Sequence, residues 1–164
     1  TNALLPAMIA AGEGRIIQNS SVLGFAAMPF RGAYNASKFA LEGLTDTLRL
    51  ELEGTGVHVS LIEPGPILSD FRKNALAALK SNIDMQNSRH REKYENAIQR
   101  LSKKGPTQRF TLGPEAVYKR LKDALESNRP KPRYYVTFPT YLMGYLKRVL
   151  STRRLDKILG KVAT

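Results

Sequence analysis

Two short, largely apolar runs, Arg15 to Ser20 (RIIQNS) and Val57 to Ile62 (VHVSLI), flank one long helical stretch. Neither run is long enough for a helix, and their composition suits strands covered by helices on both sides. Between them, Ala33 to about Glu53 carries Phe39, Leu41, Leu44, Leu48 and Leu52, an apolar stripe at helical spacing. Strands joined through a helix of this length pair in parallel, because a crossover is needed to bring the chain back to the same edge. The expected fold class is therefore α/β, part of a doubly wound parallel sheet; Phe39 and Leu41 point differently from Leu44, Leu48 and Leu52, so one set covers the sheet and the remainder meets another element or another subunit.

The flanking segments extend the alternation. Leu4, Leu5, Met8 and Ile9 predict a helix that Gly12-Glu13-Gly14 stops, and Gly54-Thr55-Gly56 stops the long one. Glu63-Pro64-Gly65-Pro66 ends the second strand. Asp70 to about Lys104 reads as polar helical pieces, and a further helix runs from Gly113-Pro114-Glu115 to Ser127, with its Pro just inside the start. Arg133 to Thr137 (RYYVT) predicts a third strand. Leu142, Leu146, Val149, Leu150, Leu155, Ile158, Leu159 and Val162 then predict one or two amphipathic basic helices.

Composition removes several functions. With no cysteine, disulfide scaffolds and thiolate metal sites are excluded, and His58 and His90 are too isolated to form a metal site. The net charge of +12 is uneven: residues 1–82 hold 7 Lys/Arg against 7 Asp/Glu, and residues 83–164 hold 19 against 7. No nucleic-acid-binding module surrounds the basic half, so nucleic acid is not the expected partner. Such charge suits an anionic substrate, an acidic partner, a membrane surface or plain solvation. No apolar run of spanning length and no signal peptide stands in the sequence, so a soluble cytoplasmic domain is expected. The opening Thr-Asn-Ala-Leu-Leu-Pro lacks an initiator Met and starts inside an apolar helix, as the interior of a longer protein would.

The two Gly-x-Gly triplets lie between a helix and a following strand. Phosphate binding by such a turn needs the reverse order, strand to helix, so both read as helix stops. More informative is Tyr34-Asn35-Ala36-Ser37-Lys38: residues i and i+4 of a helix share a face, which brings a phenol and an ammonium together. A positive charge near a phenol favours its ionised form, and a phenol so tuned exchanges protons with carbonyls and alcohols. Tyr118 and Lys122 repeat the spacing with no strand feeding their helix, and read as a solvated pair. Ser21 sits at the carboxyl end of the first strand, where open α/β sheets bind ligands, as does the Pro64-Gly65 turn. A capping hydroxyl is the plainer role for Ser21.

Three motifs in order, Asn19-Ser20-Ser21-x-x-Gly24, Tyr34-x-Ala36-Ser37-Lys38 and Pro64-Gly65-Pro66-Ile67-x-Ser69, make the chain resemble the short-chain dehydrogenases/reductases over about Thr1 to Phe71. That resemblance implies a Rossmann-like domain using NAD or NADP to interconvert an alcohol and a ketone or aldehyde. It implies Tyr34 as catalytic acid/base, Lys38 as its tuning residue and ribose ligand, and Ser21 as orienter of the substrate carbonyl. Pro64, Gly65 and Ile67 would meet the nicotinamide, with Ser69 near the cofactor. The layout implied is a catalytic core over 1–71, a variable substrate-binding segment over 72–131, and the last strand with C-terminal helices over 132–164. The basic, apolar-striped tail is more distantly similar to hydroxysteroid-dehydrogenase-like members, which suggests a lipophilic substrate. Members commonly pair through the long helix and the one before it, so a homodimer or homotetramer is expected. The family's glycine-rich phosphate loop and Asn-Ala-Gly motif have no counterpart among these residues, so the expectation is the C-terminal portion of a longer enzyme, inactive alone, that lacks the N-terminal nucleotide-binding strands. The alternative is a non-catalytic basic binding or membrane-peripheral module on the same fold.

Overall fold

Three parallel strands form the frame: β1 (Gly14–Asn19), β2 (Val57–Glu63) and β3 (Arg133–Tyr135), in that order across the sheet. The computed structural model describes residues 1–103, 105 and 109–162, so Lys104 and the side chain of Val162 lie outside the described residues. Gly14 pairs with Val57 and Asn19 with Ile62, while Leu61 pairs with Arg133 and Glu63 with Tyr135. The crossover from β1 to β2 is α2 (Gly32–Glu51), as its length demands.

Alternation along the strands sends side chains to two covered faces. Ile16, Val57 and Val59 pack with Leu52, Leu48 and the Leu5 and Met8 side chains of α1 (Leu5–Ala11). Ile17, Ile62 and Tyr134 face the other way, onto Val117, Leu121 and Ala124 of α5 (Glu115–Glu126). Helices thus cover both faces of a parallel sheet. Both Gly-x-Gly triplets are helix-to-strand turns, and they touch. Gly12 and Gly56 take φ of 69° and 77°, and a Cβ on Gly56 would run into the Gly12 carbonyl.

The polar middle segment forms α3 (Phe71–Asn82) and α4 (Arg91–Ser102). The tail forms α6 (Phe138–Val149) and α7 (Thr152–Val162). Leu155, Ile158 and Leu159 of α7 pack inward with Met143 and Leu146 of α6 onto Val22, Phe25 and Ala26. Part of the apolar stripe of the basic tail is therefore consumed inside the fold, while Leu142 and Val149 stay exposed. No described helix is long and apolar enough to cross a membrane.

Three expectations need correction. Pro114 is the N-cap of α5, not a residue of its first turn. β3 ends at Tyr135, because Thr137 is already the N-cap of α6. Leu44 parts from Leu48 and Leu52, which pack against β1 and β2. Leu44 is 66% exposed and Phe39 40%, whereas Asn35, Glu42 and Thr45 are the buried residues of that helix. Periodicity assumes that burial is apolar; here Thr45 donates to the Leu41 carbonyl, Asn35 to the Met28 carbonyl, and Glu42 accepts from the remote Arg133. Leu61→Ala, at a fully buried position of the central strand, should cost about 2–5 kcal/mol, and Leu44→Ala should stay within about 0.5 kcal/mol. Urea unfolding of the two variants checks this, and equal losses would return Leu44 to the core.

Candidate active site

Backbone hydrogen bonds lace the carboxyl ends of β1 and β2 together. Ser20 N–H donates to the Ile62 carbonyl and Val22 N–H to the Pro64 carbonyl, each at 2.8 Å. Ser21, between them, is extended, and its hydroxyl accepts from Leu23 N–H at 3.2 Å to cap the short 3-10 turn Val22–Gly24. The same hydroxyl donates to the Pro64 carbonyl at 3.5 Å. The capping role and the strand-end position therefore coexist in one side chain.

Tyr34 and Lys38 occupy the first turns of α2. The Lys38 ammonium lies 5.8 Å from the Tyr34 ring centroid and donates to the Asn19 carbonyl at 2.8 Å. An ammonium has three protons, and the bond to Asn19 uses one while aiming the group at the strand end. Lys38 is thus tied two residues from Ser21 and on the same helical face as Tyr34. Tyr118 is 64% exposed, and Lys122 instead reaches Glu126 at 3.8 Å, so the second Tyr/Lys spacing forms no such pair.

The turn after β2 is pinned from two sides. Gly65 lies against Thr137 and Thr140, where a Cβ would run into both hydroxyls. Ile67 bridges Leu112, with Leu68 N–H donating to the Leu112 carbonyl at 2.8 Å. Pro64, Gly65 and Ile67 are half-buried, and Ser69 is exposed, its hydroxyl accepting from Phe71 N–H at 3.4 Å. The hydrogen bonds of this turn run to Ser21, Val22, Leu112 and Phe71. Phe71 lies edge-on to the Tyr34 ring with centroids 5.3 Å apart. His90 and Tyr94 meet Phe30 similarly, at 5.3 and 5.5 Å. Phe71, His90 and Tyr94 thus pack the chain that follows the Pro64–Ser69 turn against the first turn of α2 and the loop before it. Among the described residues, no group of three or more metal-ligating side chains occurs.

Sequence reasoning missed a buried ion cluster beside this site. Arg133, on β3, donates from Nη1 to Glu63 at 2.6 Å and to Glu42, and from Nη2 to Asp46 at 2.6 Å. Glu63 is fully buried and Glu42 is 6% exposed. Burial first, then the neighbouring Glu42 charge, push the Glu63 carboxyl up to about 8, against the pull of Arg133. Asp46 is held below its ordinary value: the effect of burial is outweighed by Arg49 and Arg133. The available signal was charge inside runs assigned to the interior, Glu63 closing a buried strand and Arg133 opening another.

Gly24 closes the Ser-x-x-Gly motif for a steric reason. A Cβ there would sit 2.6 Å from the Ser20 hydroxyl and 2.7 Å from Glu42 Oε1. Gly24→Ala should therefore cost about 1–3 kcal/mol. Gly43→Ala, with open space around its Cβ in the middle of α2, should gain up to about 1 kcal/mol. Thermal unfolding would show opposite shifts; a Gly24→Ala protein as stable as its parent would contradict the close approach.

Comparison with known proteins finds several similarities. Residues 1–80 match the short chain dehydrogenase family. The chain is 46% identical over 159 residues to the Escherichia coli (strain K12) "Uncharacterized oxidoreductase YbbO", covering 97% of this chain and 53% of that protein. It is 34% identical over 135 residues to Homo sapiens 17-beta-hydroxysteroid dehydrogenase type 1, covering 82% and 40%. Among solved structures, a short chain dehydrogenase/reductase from Burkholderia phymatum in complex with NAD superposes with a TM-score of 0.64 at 26% identity, covering 96% of this chain and 53% of that one. The chain spans about half the length, or less, of the curated relatives it matches. Over residues 1–80 the chain is thus similar to the short chain dehydrogenase family, and over 159 residues to a curated oxidoreductase about twice the matched length.

Proposed function

We propose that this chain carries the acid/base centre of an NAD(P)-dependent oxidoreductase that interconverts an alcohol and a ketone or aldehyde. The observation that carries this reading is the Tyr34–Lys38 pair, its ammonium tied to the carboxyl end of β1 beside Ser21. The residues present fit the nicotinamide-ribose half of a dinucleotide. Lys38 has donors beyond the one given to Asn19, and the Pro64–Ile67 turn is a rigid, half-buried wall next to it. Ser69 extends that wall. The nicotinamide supplies or accepts hydride when bound.

The chain's own residues handle the proton and the orientation. In carbonyl reduction Ser21 donates a hydrogen bond to the substrate oxygen, and Tyr34 gives that oxygen its proton; in alcohol oxidation Tyr34 takes it back. Lys38 stabilises the negative charge that develops on the phenol oxygen as its proton leaves. Residues 72–131 form the substrate side, and the aromatic contacts of Tyr94 there and of Phe71 just before it favour a lipophilic substrate. The neighbouring glycine triplets, which run helix to strand, offer no helix N-terminus to a pyrophosphate, so cofactor binding by residues 1–164 alone should be weak.

In the whole protein, Tyr34→Phe keeps the ring and removes the proton, and turnover should fall roughly 10²-fold or more. Lys38→Ala should lose turnover and also weaken cofactor binding, read by fluorescence titration with NADH and NADPH. Tyr118→Phe should change neither; a crippling effect there would move the centre to the wrong pair.

We infer a two-fold pairing of the whole protein through α2 and α1, supported by Leu44, Leu50 and Phe39 standing exposed on α2 and Leu4 and Ile9 beside α1. Because Leu44 lies outside the core, Leu44→Asp should dissociate the pair without unfolding it. Sedimentation across a concentration range reads this, and a parent that stays monomeric at tens of micromolar contradicts it.

A further inference from the structure

Arg133 Nη1 binds Glu42 and Glu63 at the same nitrogen, which sets the two carboxyl groups side by side. Each keeps one buried oxygen with no hydrogen-bond partner, Glu42 Oε1 and Glu63 Oε2. Two ionised carboxylates would leave two buried acceptor oxygens to which no hydrogen bond is made. A proton on one of them turns that contact into an O–H···O⁻ bond, the strong, charge-assisted kind. The charge balance points the same way. Glu42 and Asp46 come from α2, Glu63 from β2, and Arg133 from β3, with Arg49 engaged on the outer oxygen of Asp46. Tyr135 stands on β3 next to Arg133, its phenol raised by burial and by Glu63, with Arg148 of α6 acting on it in the opposite sense. Ser20 places a hydroxyl, itself unpartnered, on the remaining side. Two guanidinium groups, Arg133 and the Arg49 that reaches only Asp46, thus answer three carboxyl groups.

The pair also joins the two halves of the candidate site. Glu42 is one helical turn beyond Lys38, and Glu63 directly precedes Pro64. We propose that Glu42 and Glu63 share one buried proton between their unpartnered oxygens, and that this carboxyl–carboxylate pair positions the helix carrying Tyr34 and Lys38 against the Pro64–Gly65 turn. The second half of this statement rests on the oxidoreductase reading; the first does not. Loss of the proton to solvent leaves three negative charges on Arg133, and the Glu42–Glu63 contact turns repulsive, loosening α2 from the turn. The elevated Glu63 carboxyl, at about 8, agrees with a proton held through neutral pH. Since that value lies above the ordinary carboxylate range, the stability it contributes is complete below about pH 4.5 and is lost as pH rises through about 8.

Infrared difference spectroscopy on the chain tests the proton without reference to activity. A protonated-carboxyl C=O band should be present near neutral pH and fade above about pH 8. Glu63→Gln, which copies the shape of the protonated group, and Glu42→Gln should each abolish the band, and Asp46→Asn should retain it. A neutral-pH spectrum of the parent identical to that of both Gln variants overturns the shared proton. Urea midpoints of the parent should fall from about pH 5 to about pH 8 and those of Glu63→Gln should not; parallel profiles count against it too. For positioning, the kcat of Glu63→Gln relative to the parent, in the whole protein, should rise roughly tenfold or more between pH 7 and pH 10, with KM little changed. A ratio flat with pH overturns the positioning role. Failure of the oxidoreductase reading would register separately, as an active Tyr34→Phe with the carboxyl band intact.

Discussion

The guanidinium of Arg133 ties together three segments that local pairing alone leaves independent. β3 has three residues and meets β2 over Leu61 to Glu63, too little ladder to fix its place firmly. Its Arg133 reaches past β2 to Glu42 and Asp46 on α2, and so fastens the last strand, the central strand and the crossover helix at one point. Burying such charges is costly when any partner is missing, because the remaining ions stay desolvated. That cost makes the arrangement unforgiving, and hence specific: α2 has one rotation that satisfies Arg133. The same rotation directs Tyr34 and Lys38 toward the end of β1 and leaves Leu44 and Phe39 facing outward.

The site itself rests on main-chain hydrogen bonds more than on side chains. Lys38 is aimed by a backbone carbonyl of Asn19, and Ser21 is held by its own 3-10 turn and by the Pro64 carbonyl. Strand ends in a parallel sheet are suited to this, since their last carbonyl and amide groups lack ladder partners and turn to the loops. Those loops are stiffened in turn, the 3-10 turn by α6 and α7 and the Pro64–Gly65 turn by Thr137 and Thr140. The rigidity of the Tyr34–Lys38 pair therefore comes from the secondary structure around it.

Much of this was legible in the sequence. The apolar runs at Arg15 to Ser20 and Val57 to Ile62 imply two buried parallel strands, the glycine triplets imply helix stops, and the i, i+4 spacing places Tyr34 and Lys38 on one face. All of these depend on interactions within a few residues. The buried face of α2 was not legible, because Glu42 lies 91 residues from Arg133 and only their meeting makes a buried carboxylate tolerable. Nor could spacing foresee Phe71 against Tyr34, since an aromatic contact across a variable segment leaves no periodic trace. The double duty of Ser21 was half legible: its place at a strand end was, whereas its bond to Pro64 needed the register of the two strands.

The inward packing of α7 has a mechanical consequence. Leu155, Ile158 and Leu159 press on Val22, Phe25 and Ala26, the residues that immediately follow Ser21, so force applied at the distal end of the chain is transmitted to the hydroxyl 130 positions or more upstream. The last helix acts as a brace under the strand-end turn, and the stiffness of that turn is set by residues that never approach Tyr34 in sequence. Slackening the brace would be felt as a looser Ser21 before any strand of the sheet let go.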